Sequence, residues 1–206
     1  MASPFSLLLI EPFPLTRILL TVMPLVSEPE LLPVREARAG DSEAWNALLA
    51  RYRLPLYVYV FELLRHEETS LDIVQETFIN AARHLGGLRE DARFGSWLFT
   101  IAHQKCAGHW RKRRLDEVAL DEHEGEFEDA DVGPSELLIR KEREADFMKL
   151  LAQLTPPHRA VLLLHFVEDF PLEEIARITE TQLGTVKSRL HYARRALRKL
   201  IEENES

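Results

Sequence analysis

Apolar residues recur at spacings of three and four along most of this 206-residue chain, without any sustained alternation of Val, Ile and Thr. The first spacing places apolar side chains on one face of an α-helix, whereas a half-buried strand requires alternation. The chain is therefore predicted to be all-α. Its 46% hydrophobic and 29% charged residues suit a chain that builds packed cores and argue against global disorder.

The N-terminal segment 1–34 differs from the rest because six prolines interrupt every apolar run. A membrane span needs about 20 continuous apolar residues, and a secretory signal needs a basic start. The segment has neither feature. We interpret it as a disordered tail, or as an extension upstream of a true start at Met23, with a membrane-touching segment as the alternative. No membrane contact of the protein's own is expected.

Residues 35–114 are predicted to form a first domain of four helices. Asp41 is placed to cap the first of them, whose apolar stripe includes Leu48 and Tyr52. Pro55 is expected to separate this helix from a second one, because proline disrupts a helix interior.

The third helix is predicted to start near Ser70 and to end at Gly86-Gly87, since glycines commonly end helices. A polar loop over 88–93 follows, and a fourth helix carries Phe94 and continues into basic residues. The single cysteine, Cys106, lies on this helix. It cannot form an internal disulfide, and we interpret it as a small core residue rather than a redox sensor.

Charge is strongly segregated in this chain of net charge −8. Residues 105–114 contain five bases and no acid, whereas residues 116–131 contain nine acids and no Lys or Arg. The average charge argues against nucleic-acid binding, but the basic block does not. Because residues 115–134 also have few large apolar side chains, we interpret them as an acidic flexible linker.

Residues 135–203 are predicted to form a second small domain, with helices at about 135–153, 156–168, 172–178 and 184–201. The last two helices carry apolar residues spaced to pack them together. A short helix, a turn and a longer helix are typical of a helix-turn-helix, in which the second helix enters the DNA major groove.

The exposed face of that second helix is predicted to be polar and basic. It carries Lys187, Ser188, His191, Arg194 and Arg195. Residues 172–199 hold seven bases against three acids, so DNA binding would depend on salt. Thr185 is predicted to cap this helix, whose first amides suit a phosphate. The alternative, a solvated amphipathic helix, is disfavoured by the two-helix spacing.

Two features of the first domain require partners. The third helix has a polar face, Asp72, Gln75, Glu76 and Asn80, which alone would be an ordinary solvated face. The loop from Leu88 brings aromatic residues next to the basic block, a combination that suits single-stranded nucleic acid. The alternative is that Phe94, Trp97 and Phe99 are core, and we expect the loop itself to read the strand.

Four motifs, taken together, resemble the extracytoplasmic-function sigma factors of the sigma-70 family. They occur in the family's order, and the resemblance covers about residues 35–203. The motifs are Asp72-Ile73-Val74-Gln75-Glu76-Thr77-Phe78, Phe94-Gly95-Ser96-Trp97-Leu98-Phe99-Thr100-Ile101-Ala102, Glu174-Ile175-Ala176 and Gly184-Thr185-Val186-Lys187-Ser188-Arg189-Leu190.

The resemblance implies a sigma-2-like first domain that binds core RNA polymerase and the minus-10 promoter element. The polymerase β′ clamp helices would bind Asp72, Gln75 and Glu76. The loop 85–93 would capture an unstacked base, and the basic helix end would grip the strand backbone. The implied minus-10 residues are Leu88, Arg89, Asp91, Arg93, Phe94, Arg111, Lys112 and Arg113.

The second domain would be sigma-4-like, read the minus-35 element and meet the polymerase β flap. The implied base-reading residues are Lys187, Ser188, His191 and Tyr192, with Thr185 and Arg189 nearer the phosphates. The acidic linker would thread the polymerase's nucleic-acid channel. The resemblance also implies an anti-sigma factor, a cytoplasmic location and a response to envelope or environmental stress.

The chain departs from the family pattern at several positions. The family usually has Asn where this chain has Gln104 and Asp where it has Gly108. It often has glycine where Glu180 stands, so either strain in that turn or another backbone geometry is expected. Pro171 stands where Ser or Thr usually caps a helix.

Two other classes of protein are alternatives to a sigma factor. A regulator that binds operator DNA without joining polymerase would share the helix-turn-helix but leaves the 72–78 face and the 88–114 segment unexplained. A metal-dependent helical nuclease is disfavoured because the sequence has no His/Cys cluster, phosphate loop or nucleophile motif. We therefore expect no enzyme activity, cofactor or metal.

Overall fold

The structure, a computed structural model, describes residues 32–119 and 151–204. Within these ranges the regular elements are helices, which confirms the predicted all-α class. They are α1 (Val34–Arg38), α2 (Ser42–Leu64), α3 (Glu67–His84), α4 (Phe94–Ala119), α5 (Pro156–Leu162), α6 (Leu172–Ile178) and α7 (Leu183–Asn204), with 3₁₀ turns at Leu85–Gly87 and Asp91–Arg93 and a π-helical turn at Leu163–Val167. Predictions for residues 1–31 and 120–150 lie outside the described residues.

Helix α2 is one long helix rather than the two predicted. Its cap is as predicted: Asp41 Oδ1 accepts hydrogen bonds from the amides of Glu43 at 2.8 Å and Ala44 at 3.3 Å. The predicted break at Pro55 is wrong, because α2 continues through it to Leu64. Proline removes one helical hydrogen bond, but both halves of α2 bury apolar side chains in the core, and this packing offsets the loss.

Helix α3 begins three residues before the predicted start at Ser70. His66 caps it, because its Nδ1 accepts a hydrogen bond from the Thr69 amide at 3.2 Å. The helix ends shortly before Gly86 and Gly87, as predicted, but neither glycine has a positive φ. The chain therefore leaves α3 through a 3₁₀ turn and not through the left-handed backbone that favours glycine.

Helix α4 starts at Phe94, as predicted, and crosses α2 at close range. A Cβ added to Gly95 would lie 2.9 Å from the Tyr52 hydroxyl, so glycine allows this approach. Cys106 is fully buried and burial raises the pKa of its thiol to about 12, in agreement with a core residue. The helix continues to Ala119, past residue 114, where the first domain was predicted to end.

The two halves of the described chain pack against each other. Helix α4 contacts α6, and α2 contacts α5. The rings of Phe99 and Phe170 meet edge to face, with 5.5 Å between centroids. Glu62 is fully buried in this region. Burial raises the pKa of the Glu62 carboxyl to about 7, and the positive charges of Arg65 and Arg159 oppose that shift.

Candidate nucleic-acid interface

The turn between α6 and α7 has a defined backbone that sets the angle of the second helix. The amide of Glu180 donates to the Arg177 carbonyl at 3.2 Å, and the amide of Thr181 donates to the Ala176 carbonyl at 3.0 Å. This is the hydrogen-bond pattern of a Schellman motif, which places its penultimate residue in the left-handed region. Glu180 has φ 51°, so the turn keeps the left-handed backbone that glycine adopts more readily. Of the two expectations for this position, a strained turn is supported and another backbone geometry is not.

Helix α7 begins two residues before Thr185, so the prediction that Thr185 caps it is wrong. The first helical turn is closed by the Gln182 carbonyl, which accepts a hydrogen bond from the Val186 amide at 3.1 Å. Thr185 lies inside this first turn and is half-buried. The Ser188 hydroxyl donates to the Gly184 carbonyl at 3.0 Å, which fixes the orientation of that side chain.

The outer face of α7 presents donors and positive charge to solvent. The exposed predicted base-reading residues are Lys187, Ser188, His191 and Tyr192, and Arg189 is half-buried. Tyr192 is 58% exposed, and its ring centroid lies 5.6 Å from that of His191. The opposite face is buried against α5 and α6. A rigid helix with one buried and one polar face can be inserted in a major groove without rearrangement.

The loop at 88–93 is held in shape by Arg38 of α1. The Arg38 guanidinium donates to the carbonyls of Leu85 at 3.3 Å and Leu88 at 2.9 Å, and to Asp91 Oδ1 at 2.5 Å. The Arg35 guanidinium is a further 4.0 Å neighbour of Asp91. Arg38 belongs to no recognisable motif, and no signal in the sequence identified it.

The predicted strand-reading residues of this loop differ in what they offer to a ligand. Arg89 and Arg93 are exposed, and Arg93 pairs with Glu90 at 2.8 Å. Leu88 is half-buried against the core, and the Asp91 carboxylate faces Arg38. The two arginines are therefore the side chains most available for contacts with a DNA strand.

The prediction that Phe94 contacts DNA is wrong for this structure. Its side chain is fully buried. The Phe94 ring packs against Tyr52 at 5.5 Å, Trp97 at 6.1 Å and Trp45 at 6.5 Å between centroids. The residue starts α4 and joins it to α2, so its aromatic ring builds the core beneath the loop. The alternative that Phe94 and Phe99 are core is the one the structure supports.

The basic end of α4 lies beyond the loop. Arg111, Lys112 and Arg113 are exposed on this helix. Closer to the loop, Lys105 Nζ donates to Glu76 Oε2 at 2.7 Å and so joins α4 to the polar face of α3. The exposed bases Arg111, Lys112 and Arg113 therefore lie on the helix into which the loop leads.

The polar face of α3 also carries apolar side chains that the sequence predictions did not include. Asp72, Gln75 and Glu76 are exposed, as predicted. Leu71 is 52% exposed and Ile79 is 44% exposed on the same side of the helix. Residues eight apart share a helix face, so this spacing was a detectable signal. A face that mixes exposed apolar and polar side chains is suited to a protein partner.

Among the described residues no group of His, Cys, Asp and Glu is arranged to hold a metal ion. A search of the same residues finds no helix with the length and apolar character needed to cross a membrane.

Two family models match the chain. The model for sigma-70 region 2 matches residues 48–115, which include the α3 face and the loop. The model for sigma-70 region 4 matches residues 144–197, which include the helix-turn-helix.

Curated relatives extend the similarity over most of the chain. The ECF RNA polymerase sigma-E factor of Escherichia coli strain K12 is 30% identical over 172 residues, which cover 80% of this chain and 90% of that protein. The chain belongs to the extracytoplasmic-function (ECF) family of RNA polymerase sigma factors. The RNA polymerase sigma-H factor of Pseudomonas aeruginosa is 29% identical over 186 residues, which cover 86% of this chain and 96% of that protein.

A solved structure shares the fold of this ECF sigma factor. It is the sigma factor RpoE in complex with the anti-sigma factor NepR from Bartonella quintana, with a TM-score of 0.60 and 24% identity. The match covers 78% of this chain and 98% of that chain.

Family membership confirms the predicted function class. A sigma factor binds core RNA polymerase and directs it to promoters, and it is an initiation factor rather than an enzyme. The region 2 match removes the case for a stand-alone operator-binding regulator, because that alternative left this part of the chain unexplained.

Proposed function

We propose that this ECF sigma factor reads its promoter through two separate surfaces and joins polymerase through a third. The observation that carries the proposal is the exposed row on α7, whose opposite face is buried in the core. Lys187, Ser188, His191 and Tyr192 read bases of the minus-35 element, and Thr185 and Arg189 contact the neighbouring phosphates.

The loop 88–93 and the basic end of α4 form the minus-10 surface. Arg89 and Arg93 contact the unstacked strand, while Leu88 and Asp91 set the shape of the loop. Arg111, Lys112 and Arg113 hold the strand backbone, since most nucleic-acid contacts that position a protein are made to phosphates. Phe94 is left out of this surface because it is buried.

The α3 face forms the polymerase surface. Asp72, Gln75 and Glu76 bind the β′ clamp helices, and the exposed Leu71 and Ile79 supply apolar contact area at the same place. The C-terminal domain meets the β flap. The mixed composition of the α3 face supports this assignment, because protein interfaces combine an apolar centre with polar surroundings.

Membership of the family supports a proposal about the biological setting. We propose a cytoplasmic protein with a sigma-2-like domain, predicted over 35–114 and extended here to the end of α4 at Ala119, and a sigma-4-like domain over 135–203. The part of the predicted acidic linker that follows α4, up to residue 134, passes through the nucleic-acid channel of polymerase. An anti-sigma factor holds the protein until an envelope or environmental stress releases it. The solved complex of a sigma factor of similar fold with an anti-sigma factor supports such a partner.

Run-off transcription with purified core polymerase and a library of promoter fragments tests the proposal. We expect discrete transcripts that require this protein, and their start sites define the promoter. Lys187→Ala should weaken recognition of the upstream element while binding to core polymerase is retained. Equal loss of both properties would indicate misfolding and count against the assigned surface.

A further inference from the structure

Arg194 is an exposed arginine on α7 that lies outside the residues proposed to contact DNA. It follows Lys187 by two helical turns and His191 by nearly one, so the three residues share one face of the helix. All three line the same surface cleft. Because helical side chains lean toward the N-terminus of their helix, the Arg194 side chain is directed back toward the proposed base-reading residues.

The Arg194 guanidinium is held over an aromatic ring from another element. Its Cζ lies 5.9 Å from the centroid of the Phe166 ring. Phe166 is half-buried against the core, and the ring of His165 packs on it edge to face with 4.7 Å between centroids. The negative face of an aromatic ring attracts a guanidinium. This contact leaves the guanidinium N–H groups to donate to a phosphate.

Phe166 lies in the π-helical turn Leu163–Val167, which follows α5. The Glu168 amide donates to the carbonyl of Leu163, five residues earlier, at 3.2 Å. Turns of this kind are rare and are frequent at functional sites. Here the turn presents an aromatic ring to the exposed face of α7, where the ring meets Arg194.

The ring can improve a phosphate contact by ordering the arginine before DNA binds. A long exposed side chain loses conformational freedom when it is fixed at an interface, and a side chain already restricted by Phe166 loses less. Arg194 lies about 10 Å along α7 from Lys187, while the major groove is about 12 Å wide. When Lys187 reaches the base edges, Arg194 is therefore near the phosphates that border the groove.

We propose that Arg194 contacts a backbone phosphate at the edge of the minus-35 major groove, and that Phe166 is the positioning residue for its guanidinium. The inference rests on the proposed assignment of the outer face of α7 to the minus-35 element. It adds a contact that fixes the helix in the groove without reading the sequence.

Promoter binding by the reconstituted holoenzyme tests the contact, on a duplex identified by run-off transcription. Arg194→Ala should weaken binding by about tenfold, as expected for one charged hydrogen-bonding partner. It should also reduce the slope of log K against log salt by about 0.9, the value for one phosphate of B-DNA. Arg53→Ala, an exposed arginine on α2, is the control and should change neither quantity. An unchanged slope for Arg194→Ala would overturn the phosphate contact.

A set of duplexes locates the contacted phosphate. Each carries one uncharged methylphosphonate in place of a phosphate near the minus-35 element. One of these replacements should weaken binding of the wild-type holoenzyme and leave that of Arg194→Ala unchanged. If every replacement affected the two proteins equally, the assignment of Arg194 to a phosphate would be wrong.

Phe166→Leu tests the positioning role, because it keeps an apolar side chain and removes the ring. It should weaken promoter binding by about two- to fivefold, the equivalent of one exposed cation–π contact. In the Arg194→Ala background the same substitution should have no effect, and Phe166→Tyr should bind like the wild type. Equal effects of Phe166→Leu in both backgrounds would show a general structural role and overturn the positioning.

Lys187→Ala combined with His191→Ala separates this inference from the proposed function. If that double variant bound the promoter as tightly as the wild type, the proposed minus-35 surface would fail, and this inference with it. If it weakened binding while Arg194→Ala did not, the inference alone would fail.

Discussion

Helix α7 and the loop 88–93, the two proposed nucleic-acid surfaces, are shaped in different ways. Helix α7 is a regular element whose buried and exposed faces follow from its own periodicity. The loop has little regular structure, and its shape depends on Arg38, which lies 50 residues from Leu88 and bonds its carbonyl at 2.9 Å. One surface is encoded locally and the other by long-range contacts.

This difference explains which side chains are available to contact DNA. On α7 the exposed positions coincide with those expected from sequence. In the loop, Phe94 and Asp91 are part of the scaffold, while Arg89 and Arg93 remain exposed. The motif therefore locates this surface in the sequence. It does not distinguish the residues that hold the loop in shape from those that are available to contact DNA.

The largest expected effect distinguishes a residue that supports the loop from a residue that is proposed to contact DNA. Phe94→Ala should lower the free energy of unfolding by about 3–5 kcal/mol, because it removes a fully buried aromatic ring. Urea denaturation of the full chain measures this. Arg89→Ala, on the exposed part of the loop, should change stability by less than about 0.5 kcal/mol and still reduce transcription. A stable Phe94→Ala protein that loses only DNA binding would contradict the distinction.

The second effect tests the long-range support of the loop. Arg38→Ala should cost about 1.5–3 kcal/mol, since it removes a guanidinium that holds a carboxylate and two carbonyls. Hydrogen exchange of amides in the loop should become faster, and transcription should fall. Arg35→Ala is the matched control, because its side chain is 85% exposed and only approaches Asp91 at 4.0 Å. Similar behaviour of the two variants would remove the special role of Arg38.

The third effect tests the locally encoded surface. Lys187→Ala combined with His191→Ala should reduce transcription by about thirtyfold or more, because two lost base contacts worth about 1–3 kcal/mol each sum to at least about 2 kcal/mol. Thermal stability and core binding should be unchanged, since both side chains are exposed. On a promoter with a scrambled minus-35 element, the variant and the wild-type protein should be equally active. A difference that persisted there would show that these residues act elsewhere.

The smallest effect tests whether the exposed face of α3 is also a binding surface that its helical periodicity predicts, as is proposed for α7. Gln75→Ala combined with Glu76→Ala should weaken core polymerase binding by roughly three- to fivefold, because most interface residues contribute little individually. Competition binding with labelled protein provides the measurement. Asn46→Ala, which is exposed on α2 and outside the three assigned surfaces, is the control. Unchanged core affinity of the double variant would count against this face.

Helical periodicity predicted most of the fold because it reports burial directly. The stripes of α3 and α7 and the order of the helices follow from this rule. The break at Pro55 was wrong because packing on both sides of the proline outweighs a local preference, which sequence spacing does not measure. The start of α7 was misplaced because Thr185 is a good capping residue by type, but the chain becomes helical before it.

Contacts between distant segments could not be predicted from the sequence. Arg38 carries no motif, and its three hydrogen bonds depend on how α1 lies against the loop. The hydrogen bond between Gln104 and Glu180 depends on how the two domains pack. Sequence reasoning identified both positions as departures from the family pattern without indicating that they meet.

Site-specific photo-cross-linking in the polymerase–promoter complex tests the central claim most directly. A benzoylphenylalanine is placed at Tyr192 in one sample and at Arg89 in another, on a promoter identified by run-off transcription. Two surfaces that read two elements predict cross-links from position 192 to the minus-35 region and from position 89 to the minus-10 strand. Cross-links from both positions to the same element, or none from position 89 in an active complex, would contradict the account.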